Sequence, residues 1–345
     1  MHVKMFFLVC FSLGIQSLCS QKNNIEVIQD EMCWWYNKPA TKYWEGLPIG
    51  TGRFAGMVSG KTSDEVIPFN DETLWTGGPY NPNNPNGPEI LKNIRKYALE
   101  KDWVNADKEA EKLSSDPMSV QYYQPMGRLH IQFPGHDEGR VEKYIRKLSM
   151  DSAMVTISYQ LDGVDYKREV FASYPDQVIV MRLKSNKKGA IDINVWLSSL
   201  QPSATTYFEN DVIVIEGTTI ENTENPYNLR ILPAQMKWQS KVKILQEGGS
   251  LTRGSGENRN KIIVKNANAV TLILAGATNW KNWNDVSENE KDKCAEYISR
   301  ASHYTYPQLK ERHLKDYLPL FHTCKIDLGK NRNSELNTTQ RMDRL

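Results

Sequence analysis

Carboxylates, an amide and a large indole crowd into one stretch, Leu47 to Tyr80, LPIGTGRFAGMVSGKTSDEVIPFNDETLWTGGPY. Its candidates for chemistry or contact are Gly50, Thr51, Gly52 and Arg53 at one turn, and Asn70, Asp71, Glu72 and Trp75 at another. Two carboxyls acting as acid and base on a glycosidic bond must stand about 5–9.5 Å apart with the bond between them. Asp71 and Glu72 are adjacent, so their side chains diverge in strand and helix alike. Asp64 and Glu65 meet the same objection. None of these carboxylates forms a catalytic pair with its neighbour. A role at the rim of a sugar site, or against a partner domain, suits the eight residues better. Trp75, Trp44, Trp34 and Trp35 are side chains that could stack on a sugar face.

Other chemistries are poorly served. His130 and His136 stand six apart with no third ligand nearby, and His303, His313 and His322 lack a helical ligand spacing. No metal or cofactor is therefore expected. Gly50-Thr51-Gly52 lacks the third glycine and the following helix of a dinucleotide loop, and no phosphate-binding loop or nucleophile elbow appears. The formal charge of +2 argues against nucleic acid or anionic lipid as a partner.

The elements that must position the candidates are mostly strands. Arg53 to Val58 and Val66 to Phe69 read as two strands joined at Ser59-Gly60. They feed a capped helical turn or a loop, with Asn70 as the candidate N-cap and Asp71 and Glu72 at first-turn positions. Met32 to Tyr36 reads as an earlier strand. The run YNPNNPNGP specifies an irregular loop, followed by two helices, one from Pro88 and one over Trp103 to Leu113. Alternation then returns at Leu129 to Phe133, Met154 to Leu161, Tyr166 to Ala172, Val178 to Leu183, Ile191 to Leu197, Val212 to Ile215, Leu229 to Trp238, Val242 to Leu245, Lys261 to Val264 and Val270 to Ala275. Asp162-Gly163 is the clearest hairpin turn. Strands every ten residues or so without helices between them predict antiparallel sheets stacked as a large sandwich. Ser287 with Glu290 and Thr305 with Gln308 read as capping boxes opening two terminal helices. The second carries Leu309, His313 and Tyr317 on one stripe.

The first twenty residues have the form of a secretory signal, with His2 and Lys4 before an apolar run from Met5 to Leu13. A secreted or periplasmic location is expected, with Cys19 as an alternative point of lipid attachment. No later segment reaches membrane-spanning length, so no transmembrane segment is expected. Once Cys10 and Cys19 leave with the signal, Cys33, Cys294 and Cys324 remain. That set forms no disulfide framework, and a Cys294–Cys324 bridge is the single pairing considered.

Several segments, in order, resemble the N-terminal region of family 95 glycoside hydrolases, the inverting α-L-fucosidases. They are LPIGTGRFAGMVSG, IPFNDETLWTGGPYNPNNPNG, YYQPMGRLHIQFP, YIRKLSMDSAMVTISY, YKREVFASYPDQVIVMRL and HLKDYLPLFHTCKIDLG. The resemblance implies a non-catalytic β-sandwich (a supersandwich) over 21–285 with two inserted helices, then a helical linker over 286–330. Residues 331–345 would lead toward an (α/α)₆ barrel that carries the acid and base and is not among these residues. It implies no catalytic residue here, fucosylated glycans or the barrel as partners, and a chain inactive alone. The alternative is a stand-alone carbohydrate-binding or protein-interaction module. Thr51 departs from the asparagine usual between the two glycines, and a threonine is expected to cap that turn less well.

Overall fold

The computed structural model describes residues 32–114, 121–221 and 231–344. The expected signal at 1–20, with Cys10 and Cys19, lies outside them. In chain order the described strands begin with β1 (Cys33–Tyr36), β2 (Leu47–Gly50), β3 (Phe54–Val58), β4 (Asp64–Asp71) and β5 (Gly127–Gln132). They continue with β6 (Glu142–Ser149), β7 (Met154–Leu161), β8 (Val164–Ser173), β9 (Val178–Ser185), β10 (Ile191–Ser198) and β11 (Thr205–Glu209). The last are β12 (Val212–Thr218), β13 (Lys237–Glu247), β14 (Ser250–Arg253), β15 (Ile262–Ala267) and β16 (Ala269–Thr278). Helices α1 (Gly87–Leu99) and α2 (Trp103–Ala110) lie between β4 and β5, and α3 (Glu290–Ser302), α4 (Tyr306–Phe321) and α5 (Thr338–Met342) follow β16.

The strands make two antiparallel sheets, the expected sandwich. The larger runs β1-β6-β7-β8-β9-β16-β13-β12-β11 and the smaller β14-β15-β10-β5-β4-β3-β2. Strict alternation orients the smaller sheet. Ile67 and Phe69 of β4, Leu129 and Ile131 of β5, and Ile193, Val195 and Leu197 of β10 point inward and are buried. They meet Val155, Ile157, Val170, Met181, Trp238 and Val242 of the larger sheet in one core. β16 is buried along its whole length because its other face is covered too. There Ile273 and Ala275 pack against Cys294, Ile298 and Ala301 of α3.

Helix α4 is held by charge as well as apolar contact. The Tyr306 hydroxyl and Lys310 Nζ donate to Glu169 at 2.9 and 3.1 Å. Arg312 Nε donates at 2.9 Å to Asp176, whose carboxylate also accepts from Ser173 Oγ. Leu309 and His313 face inward, and Tyr317 donates to the Met150 carbonyl, so the predicted stripe is the docked face. The far segment returns to the sheet edge. Thr338 Oγ1 accepts from the Trp35 N–H of β1 at 3.1 Å, and Arg341 donates to the Cys33 carbonyl.

Several sequence expectations need correction. Asn70 caps no helix: β4 runs through it to Asp71. Asn289, not Ser287, caps α3, accepting from the N–H groups of Lys291 and Asp292, because its carbonyl and side chain lie one residue before the first helical turn. The Thr305–Gln308 box is present as expected. The second inserted helix stops at Ala110 and tightens into a 3-10 turn over Glu111–Leu113. Of the strand expected over 229–238, residues 229 and 230 lie outside the described residues. Residues 231–236 are irregular, since Pro233 has no N–H to give a ladder. β13 instead starts at Lys237 and absorbs the separate strand expected at 242–245. Cys294 and Cys324 are unbridged; Cys294 is buried against the Ala275 carbonyl and burial pushes its thiol up to about 12, while Cys324 is exposed.

A buried ion pair crosses between the sheets. Glu65 Oε1 accepts from Ser59 N–H, Ser59 Oγ and Gly60 N–H at 3.0, 2.7 and 3.1 Å. Its other oxygen lies 3.6 Å from Arg168 Nη1 of β8. Burial raises the Glu65 carboxyl above its ordinary range, against the pull of Arg168 and these donors. Arg168 donates to the Lys61 and Thr62 carbonyls and to the Tyr159 hydroxyl, and its guanidinium covers the Phe133 ring at 3.7 Å. The Tyr159 hydroxyl in turn meets His136 Nδ1 at 2.8 Å.

Removing one partner of a buried pair costs about 3–5 kcal/mol, whereas replacing both with apolar groups is often neutral. Arg168→Met should lower the urea midpoint by that equivalent, and the Glu65→Leu/Arg168→Met double variant should recover most of it. Burial and then the Arg168 charge lower His136 from 6.5 to about 4. The unfolded chain therefore takes the proton first. Its contribution to stability is complete above pH 6.5 and is lost as pH falls toward about 4, a slope that His136→Gln should remove from a urea titration against pH.

Candidate functional site

Antiparallel pairing collects particular loops at one end of the sandwich. Phe54 pairs with Asp71, Phe69 with Gly127, Ser173 with Val178, and Trp238 with both Gly217 and Thr278. The turn at 51–53, the described parts of the connection after β4 (72–114 and 121–126), and the segments 174–177, 199–204, 219–221, 231–236 and 279–289 therefore share that end. These loops expose Trp75, Tyr122, Tyr123, Tyr174 and Leu200, together with Ile220, Ile231, Trp280 and Trp283. The inserted helices add Leu99, Trp103 and Val104, exposed by 85%, 62% and 66%. At the opposite end, the segment 37–46 that enters β2 exposes Tyr43 and Trp44, while the turns 59–63, 133–141, 162–163, 186–190, 210–211, 248–249 and 268 expose no large apolar side chain. Isolated apolar exposure is ordinary, but a concentration at one end marks a contact surface.

All eight residues singled out in the sequence lie at this end, in two roles. Thr51, Arg53, Asn70 and Asp71 build it. Thr51 closes the Gly50–Gly52 turn: its N–H donates to the Phe54 carbonyl at 2.9 Å and its hydroxyl accepts from the Phe54 N–H at 3.1 Å. The threonine hydroxyl thus caps the turn that it occupies. Gly52 has a φ of +91°, a left-handed conformation that favours glycine. Asn70 Oδ1 accepts from the N–H groups of Asp71 and Met126, and its amide donates to the Gln124 carbonyl, which fixes the start of β5 on β4.

Arg53 and Asp71 form the centre. Asp71 is fully buried and faces the core as the last inward position of β4. One of its oxygens takes Arg53 Nη1, and the other accepts from the Thr73 N–H at 3.0 Å and the Thr73 hydroxyl at 2.6 Å. Arg53 also donates to Gln177 Oε1 at 3.0 Å and to the Gly276 carbonyl at 2.9 Å, and its guanidinium lies 5.3 Å from the Tyr297 ring. One side chain thus joins β4, the β8–β9 turn, β16 and α3. Gln177 is held at a φ of 58°, left-handed for a non-glycine residue. Thr73 Oγ1 meets Thr278 Oγ1 at 2.6 Å, which continues the chain of bonds to the 279–289 loop.

Gly50, Gly52, Glu72 and Trp75 are exposed. Glu72 offers a carboxylate that makes no hydrogen bond or ion pair among the described residues. Trp75 is locked: its indole N–H donates to the Glu72 carbonyl at 2.8 Å, and its ring lies 5.2 Å from Tyr123 at 51°. Tyr123 escaped notice in the sequence, because a YYQP run carries no signal of what it pairs with. Burial first, then the charges of Asp71, Tyr43 and Glu72, push its phenol up to about 12.

The inward carboxylates Glu65 and Asp71 are six residues apart on one strand, about 20 Å at roughly 3.3 Å per residue. That exceeds the separation of a glycosidase pair. His130, stacked on Trp196 and bonded to Ser198, and His136, bonded to Tyr159, are held in separate aromatic contacts. Among the described residues no cluster of three or more metal-ligating side chains occurs, and no helix is long and apolar enough to cross a membrane.

Asp71→Ala should strand Arg53 and cost about 1.5–3 kcal/mol in chemical denaturation, the range for a hydrogen bond to a charged group. Glu72→Gln, on the adjacent exposed position, should stay within about 0.5 kcal/mol of the parent.

A model of known families, described as the N-terminal domain of glycosyl hydrolase family 65, matches residues 34–283. Alpha-L-fucosidase 2 of Arabidopsis thaliana is 29% identical over 316 residues, 87% of this chain and 37% of that protein. The protein called "Probable alpha-fucosidase A" in Aspergillus niger is 26% identical over 85% of this chain and 37% of its own length. The protein of the same name in Aspergillus oryzae is 22% identical over 88% and 43%. The chain spans about two fifths of the length of these curated relatives.

Proposed function

The chain belongs to the family of glycosyl hydrolase family 65 N-terminal domains, and from that premise we propose that it is the non-catalytic β-sandwich companion of an α-L-fucosidase catalytic domain. In this reading it is of the family 95 type, and the catalytic barrel supplies the acid and base that hydrolyse α-L-fucosides with inversion. The sandwich contributes a docking face and part of the pocket rim. The observation that carries the reading is the loop end: exposed aromatic and aliphatic side chains are concentrated there, while the far end exposes only Tyr43 and Trp44, in the segment that enters β2, among the described residues. The commitment of Asp71 to Arg53 and Thr73 supports a supporting role for this carboxylate over a catalytic one. The N-terminal run Met5 to Leu13 supports export, to the periplasm or beyond the cell. Fucosylated glycans are the partners that this reading implies.

A stand-alone carbohydrate-binding module is the second reading, favoured by the locked and exposed Trp75. The two differ in what the loop end meets. The chain alone should release no 4-nitrophenol from its α-L-fucoside. Mixed with the separately produced remaining portion of a fucosidase relative, it should raise the rate above that portion alone. Hydrolysis by the chain alone, or mixing without gain, rejects the companion role.

A further inference from the structure

The segments 74–76 and 122–124 form a short antiparallel ribbon. Thr76 N–H donates to the Tyr122 carbonyl and Gln124 N–H to the Leu74 carbonyl, both at 2.8 Å, and Tyr122 N–H donates to Thr76 Oγ1 at 3.0 Å. Leu74 and Thr76 are buried, so Trp75 points to the other side, where its bridge partner Tyr123 lies. The ribbon is rooted in Asn70 and in the Asp71–Thr73 contacts, which hold its outer face in place.

Three groups converge on that outer face with complementary chemistry. The indole N–H is already used on the Glu72 carbonyl, so Trp75 offers an incoming molecule only its π face and C–H edge. Glu72 brings a carboxylate with no partner among the described residues, able to accept two hydroxyl protons. Tyr123, close enough to Glu72 and Tyr43 to feel both, brings a phenol that remains a hydrogen-bond donor at neutral pH. An apolar platform beside an acceptor and a donor is the complement of a pyranose ring. Such a ring has C–H groups on one face and hydroxyls at its rim. A 6-deoxyhexose fits best, because its methyl group extends the C–H face and removes a hydroxyl that the capped indole could not satisfy.

We propose that Trp75, Glu72 and Tyr123 form a contact site for a 6-deoxyhexose unit of a glycan, a site that rests on the companion-domain reading and assigns it a sugar contact of its own. The test is saturation-transfer NMR and calorimetry of the 345-residue chain with methyl α-L-fucoside and with methyl α-D-glucoside. Saturation should reach the fucoside methyl group more strongly than any ring proton, and the glucoside should bind several-fold more weakly. Trp75→Ala should weaken fucoside binding by about tenfold or more, the loss expected from about 1.4 kcal/mol of stacking. Trp75→Phe should retain most of it, and Glu72→Gln should weaken it several-fold at an unchanged unfolding midpoint. Trp75→Phe and Glu72→Gln decide the matter if the alanine variant fails to fold. Absence of binding by the parent chain at tens of millimolar, preference for the glucoside, or Glu72→Gln and Trp75→Ala chains that bind like the parent would overturn it. A chain that fails here and still raises the rate in the mixing assay leaves the companion role standing. Failure of the mixing assay with sugar binding intact does the reverse.

Discussion

Strand β4 puts a carboxylate at each end of its inward face, and both must be neutralised inside the sandwich. Ile67 and Phe69 fill the middle, Glu65 meets Arg168 across the gap between sheets, and Asp71 meets Arg53 at the loop end. Desolvating an ion costs several kcal/mol, so each carboxylate depends on its partners: Asp71 uses both oxygens, while Glu65 gathers three donors on one oxygen and holds the other 3.6 Å from Arg168. Those donors come from different elements: the Ser59–Gly60 turn, β8, the 51–53 turn and Thr73. A register slip of one residue on β4 would turn both carboxylates outward and strand both arginines. The pairing of the sheets and the shape of the loop end are thus fixed by one strand.

Much of the fold was legible, for reasons that can be located. The Asp162-Gly163 turn shows because both residues take left-handed φ values, 49° and 77°, which suit a two-residue hairpin. β5 and β10 show because each alternates cleanly between a buried and a wetter face. β6 was missed. Its EKYIRKLS reads as surface because arginine normally does, yet Arg146 is 2% exposed and lies over the Tyr36 ring at 4.1 Å while donating to the Lys38 and Glu45 carbonyls. β11 is short and half-exposed at a sheet edge, so nothing in TTYFE sets it apart from a loop.

The candidate site was legible as a place and not as a division of labour. Glycines, amide, carboxylates and indole within one stretch do mark the loop end. Their types alone could not separate Asp71, spent on Arg53, from its neighbour Glu72, which faces solvent. That separation follows from the two-residue period of β4, which the expected helical turn at Asn70 concealed. Tyr123 joins them through a pairing some fifty residues distant in sequence, with two helices inserted between.

The return of the far segment to β1 carries a consequence for how the protein is made. Trp35 waits for Thr338, 303 positions later, before its N–H finds the acceptor it holds in the finished fold. At about 5–20 residues per second, a ribosome needs roughly 15–60 s to supply that acceptor. During this interval the rim of the larger sheet is open to strands of other nascent chains. Chaperone engagement on the polysome would be most useful over that window, when most of the sandwich already exists and its last latch does not.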